Sequence, residues 1–176
     1  MFNLDKYVKQ FRALEKKSPS SAMRLLRNCL GPELLRVEQK KSYRRIKQQG
    51  AEQVGLSALG LRVYGHCKTA ATAYWLLMGG KDREGKPLLL MKEKMPDGQL
   101  HFWVQTESGR KIDPTKAQLS TELYPHHNYS SGEAVRVGSN RGKSFVSLAG
   151  HTHRIDHYSY KLLQCLAKSL RTTNSD

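Results

Sequence analysis

The order of the sequence patterns predicts an α+β fold, in which N-terminal helices and one central helix pack on an antiparallel sheet. Helical periodicity of apolar residues dominates residues 1–78, and short apolar or alternating runs split by tight-turn residues follow. A last amphipathic helix is expected over residues 155–170. Helices and strands that are segregated along the chain are typical of this fold class.

Length and composition fit a single domain over residues 1–176. A chain of this length can bury a sizeable hydrophobic core, and its 38% hydrophobic and 26% charged residues suit a globular protein. Three regions follow from the patterns: a basic helical region (1–50), a central region (55–120) and a C-terminal region of loop, strands and helix (121–176).

Three helices are predicted in the basic region. Asn3 is expected to cap the first, and Ser20 or Ser21 the second. A Gly-Pro step ends the second helix and starts the third, and Gly50 closes it. The third helix has a narrow apolar face and should lie on the surface. The predicted spans are 4–17, 21–30 and 32–50.

The firmest helix prediction covers residues 67–78, within the sequence YGHCKTAATAYWLLMGG. Small and apolar side chains recur there every three or four residues, and two glycines end the run. The glycine-rich stretch before it, residues 55–65, is predicted as a loop. Cys67 therefore stands at the N-terminus of a helix.

Three short runs then predict an antiparallel meander, because PDG and ESG turns separate them. With the second turn at Ser108–Gly109, the numbers of paired residues sum to roughly 215–217, so His101 and Asp113 lie on neighbouring strands within side-chain reach. A loop and two more strands follow. The runs are 87–95, 99–107 and 110–113, the loop is 116–132, and the later strands are 134–138 and 144–150.

Cys67, His101 and Asp113 are the candidate catalytic residues. A helix N-terminus and an imidazolium partner lower the pKa of a thiol and yield the thiolate that attacks carbonyls. The histidine then moves the proton, and the carboxylate fixes the orientation of the imidazole. Each residue alone is more often structural. Their order and their placement on the expected elements indicate catalysis.

The segment HFWVQTESGRKIDPT resembles the His-x-Trp-Val … Gly … hydrophobic-Asp-Pro-Thr signature of transglutaminase-like proteins, within the papain-like cysteine superfamily. YGHCKTAATAYWLL resembles the Gly-x-Cys helix of that family, and the residue order is the same. The resemblance covers residues 55–120 and implies a papain-like core. It also implies roles for four residues: Cys67 as nucleophile, His101 as general base and acid, Asp113 as orienting group, and Trp103 as part of the supporting wall.

The resemblance further implies that the backbone N–H of Cys67 is one oxyanion donor. No glutamine stands at the upstream place that papain-like proteases use for the second donor. Tyr64, His66 and the more distant Gln53 are the candidates for that role. Lys68 follows the cysteine, where many members of the family carry an aromatic or acidic residue.

The predicted function is cysteine-dependent amide hydrolysis or acyl transfer through a thioester at Cys67. Water as acceptor makes the protein a peptidase, a thiol protease or a deamidase, and an amine makes it a transglutaminase-like transferase; the sequence leaves these open. The substrate is expected to be a protein or peptide, with no cofactor. Without a secretory leader or an apolar run of ~18 residues, we expect a cytoplasmic protein with no membrane span.

The alternative is a binding module with a vestigial triad. The net charge is +15, with 13 Lys and Arg against 4 Asp and Glu in residues 1–50 and 7 against 2 in residues 136–176. A basic surface attracts nucleic acid or an acidic protein. The aromatic residues do not interleave with the basic ones, which disfavours nucleic acid. The basic ends also suit an acidic substrate.

The remaining candidates are weaker. Cys29 and Cys165 lie on apolar helical stripes and are interpreted as structural, and the absence of CxxC spacing argues against disulfides and zinc. GSNRGKS (138–144) has the composition of a phosphate loop, but the glycine spacing is short by one residue and a strand-like run follows. Five histidines have no assigned role, and polar loops are favoured over a metal site for them: His126, His127, His151, His153 and His157.

Overall fold

The computed structural model describes residues 1–125 and 127–172, and six α-helices and two sheets are present in that part of the chain. The helices are α1 (Asp5–Lys17), α2 (Pro19–Asn28), α3 (Val37–Gln49), α4 (Ala58–Val63), α5 (Cys67–Leu77) and α6 (His157–Thr172). The strands are β1 (Phe2–Asn3), β2 (Leu88–Lys94), β3 (Leu100–Thr106), β4 (Lys111–Ile112), β5 (Glu133–Val135), β6 (Ser144–Leu148) and β7 (His151–Ile155). The α+β prediction is confirmed.

The larger sheet contains the predicted meander. Its strand order is β4-β3-β2-β5 and all its pairs are antiparallel. Val104 pairs with Ile112 and Gln105 with Lys111, which is the predicted register. The smaller sheet has the order β1-β6-β7, with β1 parallel to β6.

Helix α5 is the buried centre of the fold. Most of its side chains are small, and it is apolar around most of its circumference, as expected for a helix covered on all sides. It packs on β2 and β3 and is covered by α1, α2 and α6. Its buried residues are Thr69, Ala70, Ala71, Thr72, Ala73, Tyr74, Leu76 and Leu77. The helix that carries Cys67 is therefore fixed by core packing.

The predicted cap of α2 is wrong. Ser18, not Ser20 or Ser21, occupies the cap position, and its Oγ accepts the N–H of Ser21 at 3.3 Å. Pro19 then takes the first helical position, where its missing N–H costs nothing. Asn3 lies one residue too early to cap α1, although its Oδ1 accepts the N–H of Asp5 at 2.8 Å.

The predicted third helix is broken in two. Residues Pro32–Leu34 form a 3-10 turn, and α3 begins at Val37. Leu35 between them is extended and fully buried, so that it reaches the core instead of continuing a helix. Within α3 only Ile46 is buried, which agrees with the predicted surface position.

Two segments predicted as loops are regular. Residues 58–63 form α4, capped by Ser57, whose Oγ accepts the N–H of Gly60 at 3.0 Å. A Cβ at Gly60 would lie 2.5 Å from the carbonyl oxygen of Ala117, so this glycine permits close packing and does not break the helix. His151–Ile155 forms β7, because it pairs with β6 along its whole length.

None of the helices in the described part of the chain combines the length and the apolarity that are needed to cross a bilayer.

A buried carboxylate joins α1 to the core and to the turn after α5. Glu15 is 5% exposed, and Arg83 binds both of its oxygens, with Nε 2.8 Å from Oε2 and Nη2 2.9 Å from Oε1. The Tyr74 hydroxyl on α5 lies 3.5 Å from Oε1. Such a carboxylate is stable in the interior only while it is paired.

Arg83→Met should therefore lower the free energy of unfolding by about 1–2 kcal/mol, because the Glu15 carboxylate loses its charged partner but stays buried. Urea denaturation measures this change. Lys86→Met is the control, since Lys86 pairs with Glu84 at 3.1 Å where both side chains are exposed, and no measurable change is expected. Equal effects of the two substitutions would contradict the role assigned to Glu15.

Candidate active site

Cys67 is the first residue of α5 and follows a tight turn at Gly65. Gly65 has φ +77°, and a Cβ there would lie 2.9 Å from Cβ of Gln39. Only glycine meets both requirements, which explains the glycine two residues before the cysteine. The Cys67 side chain is half-buried, and its Sγ lies 3.5 Å from the carbonyl oxygen of Leu100 at the start of β3.

His101 lies on β3 between Asp113 and Cys67. Its Nε2 is 2.7 Å from Oδ2 of Asp113, and Cys67 is near enough to act on the pKa of the imidazole. Burial alone would lower the pKa of His101, but the hydrogen bonds to Asp113 and Cys67 and their negative charges raise it to about 10. The imidazolium form of His101 is therefore favoured beside the Asp113 carboxylate.

Asp113, immediately after β4, is a buried carboxylate with four donors. Oδ2 accepts from His101 at 2.7 Å and from the Tyr129 hydroxyl at 2.9 Å. Oδ1 accepts from the N–H of Thr115 at 2.8 Å and from its hydroxyl at 3.0 Å. Burial opposes ionisation, but the bonds from His101, Thr115 and Tyr129 hold the pKa of Asp113 below its usual value. The carboxylate therefore stays charged.

A chain of hydrogen bonds connects this carboxylate to the cysteine turn. The Thr115 hydroxyl also accepts from Nε2 of Gln118 at 2.8 Å, and Oε1 of Gln118 accepts the N–H of Gly65 at 2.9 Å. Thr115 is fully buried and Gln118 is 5% exposed. The Asp-Pro-Thr sequence thus sets the position of the histidine partner and of the turn before Cys67 at the same time.

The segment 127–131 covers the site, and the sequence had given it no role. Tyr129 bonds to Asp113, packs 5.0 Å from Trp103 between ring centroids, and has φ +60°, an uncommon conformation for tyrosine. Nδ1 of His127 lies 2.7 Å from Oε1 of Glu93, the β2 residue that pairs with His101. The only sequence signal for this role was the density of histidine and tyrosine in YPHHNYSSG.

The two neighbouring imidazoles differ in charge preference. The rings of His101 and His127 meet edge to face with centroids 5.4 Å apart. Burial, followed by the charge of His101, lowers the pKa of His127, although Glu93 and Asp113 oppose this. His101 therefore holds the positive charge, and His127 is neutral.

Of the predicted supporting residues, Trp103 contacts His101, whereas the Tyr64 ring packs with Ile46 and Leu56 in a separate apolar cluster. Trp103 is fully buried and stacks on His101 with centroids 6.0 Å apart. Burial, opposed by bonds to Gln99 and Ser42, raises the pKa of the Tyr64 phenol, which lies close to Tyr124. Gln53 is exposed on the 3-10 turn Ala51–Val54, and within the described residues its side chain has no hydrogen bond to the triad.

The three backbone N–H groups directly before Cys67 are already hydrogen-bonded. The N–H groups of Tyr64, Gly65 and His66 donate to Leu61, Gln118 and Val63 respectively. The N–H of Cys67 stands at the first position of α5, where a helix supplies no partner. His66 is 1% exposed with an unpaired Nδ1, and burial lowers its pKa to about 4. A second oxyanion donor from this segment must be a side chain.

The other candidates lie apart from the triad. His126 is outside the described residues. His151 and His153 are on β7, and His157 begins α6. Among residues 1–125 and 127–172, no three His, Cys, Asp or Glu side chains converge as metal ligands would. Cys29 and Cys165 contact each other where α2 and α6 meet, and burial raises the pKa of Cys29 to about 12.

Comparison with known proteins adds no relative: no protein-family profile, curated protein or solved structure matches this chain at a significant level.

The His101–Asp113 pair should make stability depend on pH. The folded pKa of His101, about 10, is above its ordinary value, so the stabilisation is complete below about pH 6.5 and is lost as the pH rises toward 10. Asp113→Asn removes the anionic partner. The free energy of unfolding that this variant loses relative to the wild type should be greatest at about pH 5–6.5 and should shrink toward pH 10. The total decrease is about 1.4 kcal/mol for each pKa unit by which the substitution lowers the folded pKa of His101.

Urea denaturation of the wild type and the Asp113→Asn variant at pH values from about 5 to 10 measures this difference. A destabilisation of the same size at every pH would contradict a charged His101–Asp113 pair.

Proposed function

We propose that this protein is a cysteine-dependent amide hydrolase or acyltransferase, with a papain-like or transglutaminase-like core and Cys67 as nucleophile. The observation that carries the proposal is the position of His101, whose Nε2 lies 2.7 Å from Asp113 and whose pKa is raised by both Asp113 and Cys67. A thiol at a helix N-terminus, a histidine and a carboxylate in this order form the constellation that activates a sulphur nucleophile.

The reaction begins with the ion pair between thiolate and imidazolium. The thiolate attacks the amide carbon, a C–S bond forms, and the oxyanion accepts the free N–H of Cys67. The imidazolium then gives its proton to the leaving amine as the C–N bond breaks, which leaves a thioester and a neutral His101. Asp113 keeps the ring in place through Nε2 in both charge states.

The second half of the reaction reverses the roles. Neutral His101 takes a proton from the acyl acceptor, whose oxygen or nitrogen attacks the thioester, and the thiolate leaves. Because the Cys67 side chain is only half-buried, water reaches the thioester unless an amine acceptor is bound. Hydrolysis is therefore the expected reaction when no amine is supplied.

The oxyanion site needs a second donor besides the N–H of Cys67. With the upstream backbone N–H groups engaged, the side chains of Tyr64 and His66 are the candidates in that segment. His66 is neutral at physiological pH, because burial lowers its pKa to about 4. A neutral imidazole carries one N–H that can donate to an oxyanion.

Selective alkylation tests the ion pair without knowledge of the substrate. At about pH 6, iodoacetamide should label Cys67 at least about tenfold faster than Cys29 and Cys165, because only Cys67 has an imidazolium partner. Mass spectrometry of the digested protein gives the three rates. His101→Ala should remove the advantage, whereas His157→Ala, which changes an exposed histidine at the start of α6, should leave it. Equal rates for the three thiols in the wild type would contradict catalysis.

Turnover gives the second test. A peptide mixture rich in glutamine and acidic residues is incubated with the protein, and mass spectrometry follows new termini, deamidation and amine incorporation. Cys67→Ser should reduce turnover by at least about 10³-fold, because a hydroxyl is not ionised by this histidine. Cys165→Ala serves as the control and should retain turnover. Wild-type rates in the Cys67→Ser variant would exclude a thioester mechanism.

A further inference from the structure

A concave site rich in positive charge includes Lys68, the residue after Cys67, in its lining. It has a volume of about 670 Å³ and lies where the first turn of α5, the end of β5, the following loop and β7 meet. We call it the cationic cavity. Five of its lining residues are basic, namely Lys68, Arg136, Arg141, His153 and Arg154.

The positive charges of the cationic cavity lack internal counter-ions. None of its lining residues is acidic, and in the described part of the chain no carboxylate pairs with Lys68, Arg136 or Arg141. The charge of Asp156 acts on Lys68 and opposes the lowering of its pKa by burial and Arg36, but Asp156 is bonded elsewhere: its Oδ2 lies 3.3 Å from Arg36 and accepts the Ser159 hydroxyl at 2.8 Å. Uncompensated cations in a concave surface attract anions.

The cations also disfavour one another. Burial, followed by the charge of Arg36, lowers the pKa of Lys68. Burial, followed by His151 and Arg136, lowers the pKa of His153. A bound anion would relieve this repulsion, which is a feature of a site built for a negatively charged ligand.

The wall of the cavity is preformed by the GSNRGKS segment. The N–H of Ser139 donates to the carbonyl of Arg154 at 2.8 Å, so the loop is bonded to β7. A Cβ at Gly142 would lie 2.2 Å from the carbonyl oxygen of Ile155. The glycines of this segment therefore serve close backbone packing, and the segment presents Arg141 to the cavity.

An apolar cavity of about 450 Å³ adjoins the cationic one and shares Arg136, Val137, Thr152 and His153 with it. Its other walls include Trp75 and residues 88–90. The Trp75 indole donates to the carbonyl of Leu88 at 2.8 Å and packs on His153. The apolar side chains beside the cations suit a peptide, which carries charged and apolar side chains next to each other.

We propose that the cationic cavity binds an acidic segment of a protein or peptide substrate, with carboxylates at Lys68, Arg136 and Arg141 and an adjacent apolar side chain beside Trp75. This inference rests on the proposed function, because it makes the cavity the substrate site of Cys67. Cys67 is not among the lining residues, but its charge acts on Lys68, and a peptide whose carboxylate binds Lys68 is expected to extend from there toward the nucleophile.

The test measures peptide binding in a variant that cannot form the thioester. Full-length protein carrying Cys67→Ala is titrated against a fluorescein-labelled peptide with five glutamates flanked by leucines, and fluorescence anisotropy gives Kd. Adding Arg136→Ala and Arg141→Ala should raise Kd at least about tenfold, because two uncompensated cations are lost. Adding Arg44→Ala and Arg62→Ala removes the same charge outside the cavity and should change Kd less than about twofold.

A matched peptide with five glutamines in place of the glutamates separates charge-dependent binding from binding of any peptide. Equal binding of the two peptides, or equal weakening by both pairs of substitutions, would overturn the proposal. A single-stranded oligonucleotide that binds more tightly than the glutamate peptide, and loses affinity only with the cavity pair, would assign the cavity to nucleic acid and also overturn it.

Protection of Cys67 tests the position of the bound peptide. In the wild type, saturating glutamate peptide should slow iodoacetamide labelling of Cys67 at least about fivefold, and an unchanged rate would overturn the placement. Different results would contradict the catalytic proposal and the cavity proposal. A Cys67 that labels no faster than Cys165 ends the catalytic proposal, whereas the peptide affinities decide the cavity proposal without reference to that rate.

Discussion

The candidate site is organised around one buried carboxylate. Asp113 has all four of its acceptor positions filled, from His101, Tyr129 and both donors of Thr115, and an isolated carboxylate in this position would be prohibitively costly. Strand β4 has only two residues, so the sheet alone does not hold Asp113. Its position depends on these side-chain bonds and on Arg27, whose Nε donates to the carbonyl of Pro114 at 2.8 Å.

Three histidines show how surroundings divide one residue type into different states. The pKa of His101 is raised to about 10 by Asp113 and Cys67, whereas burial lowers that of His66 to about 4 and burial with a cationic neighbour lowers that of His127. The imidazole bonded to Asp113 is charged and the other two are neutral. Under the proposed function, the charged ring is the one that exchanges a proton with Cys67.

The sequence predicted what depends on short-range patterns. The ESG turn set the β3–β4 register, and that register was enough to expect His101 beside Asp113, which lie 2.7 Å apart. Features that depend on contacts between distant parts of the chain were not predicted. Gly60 suggests a loop until its close approach to Ala117 is known. The smaller sheet needs a pairing of Phe2 with Val146, and no local pattern indicates it. Tyr129 lies in an aperiodic segment, so its bond to Asp113 had no signal.

The hydrogen bond from Tyr129 to Asp113 affects the stage of folding at which the site forms. The donors to Asp113 are spread from β3 to a loop that is 16 residues beyond the carboxylate, and loop closure precedes such contacts during folding. Until that loop docks, the carboxylate remains hydrated and the imidazole has no strong partner. Under the proposed function, a nascent or locally opened molecule therefore carries the Cys67 thiol without an activating histidine, and the nucleophile becomes active only when the tertiary structure is complete.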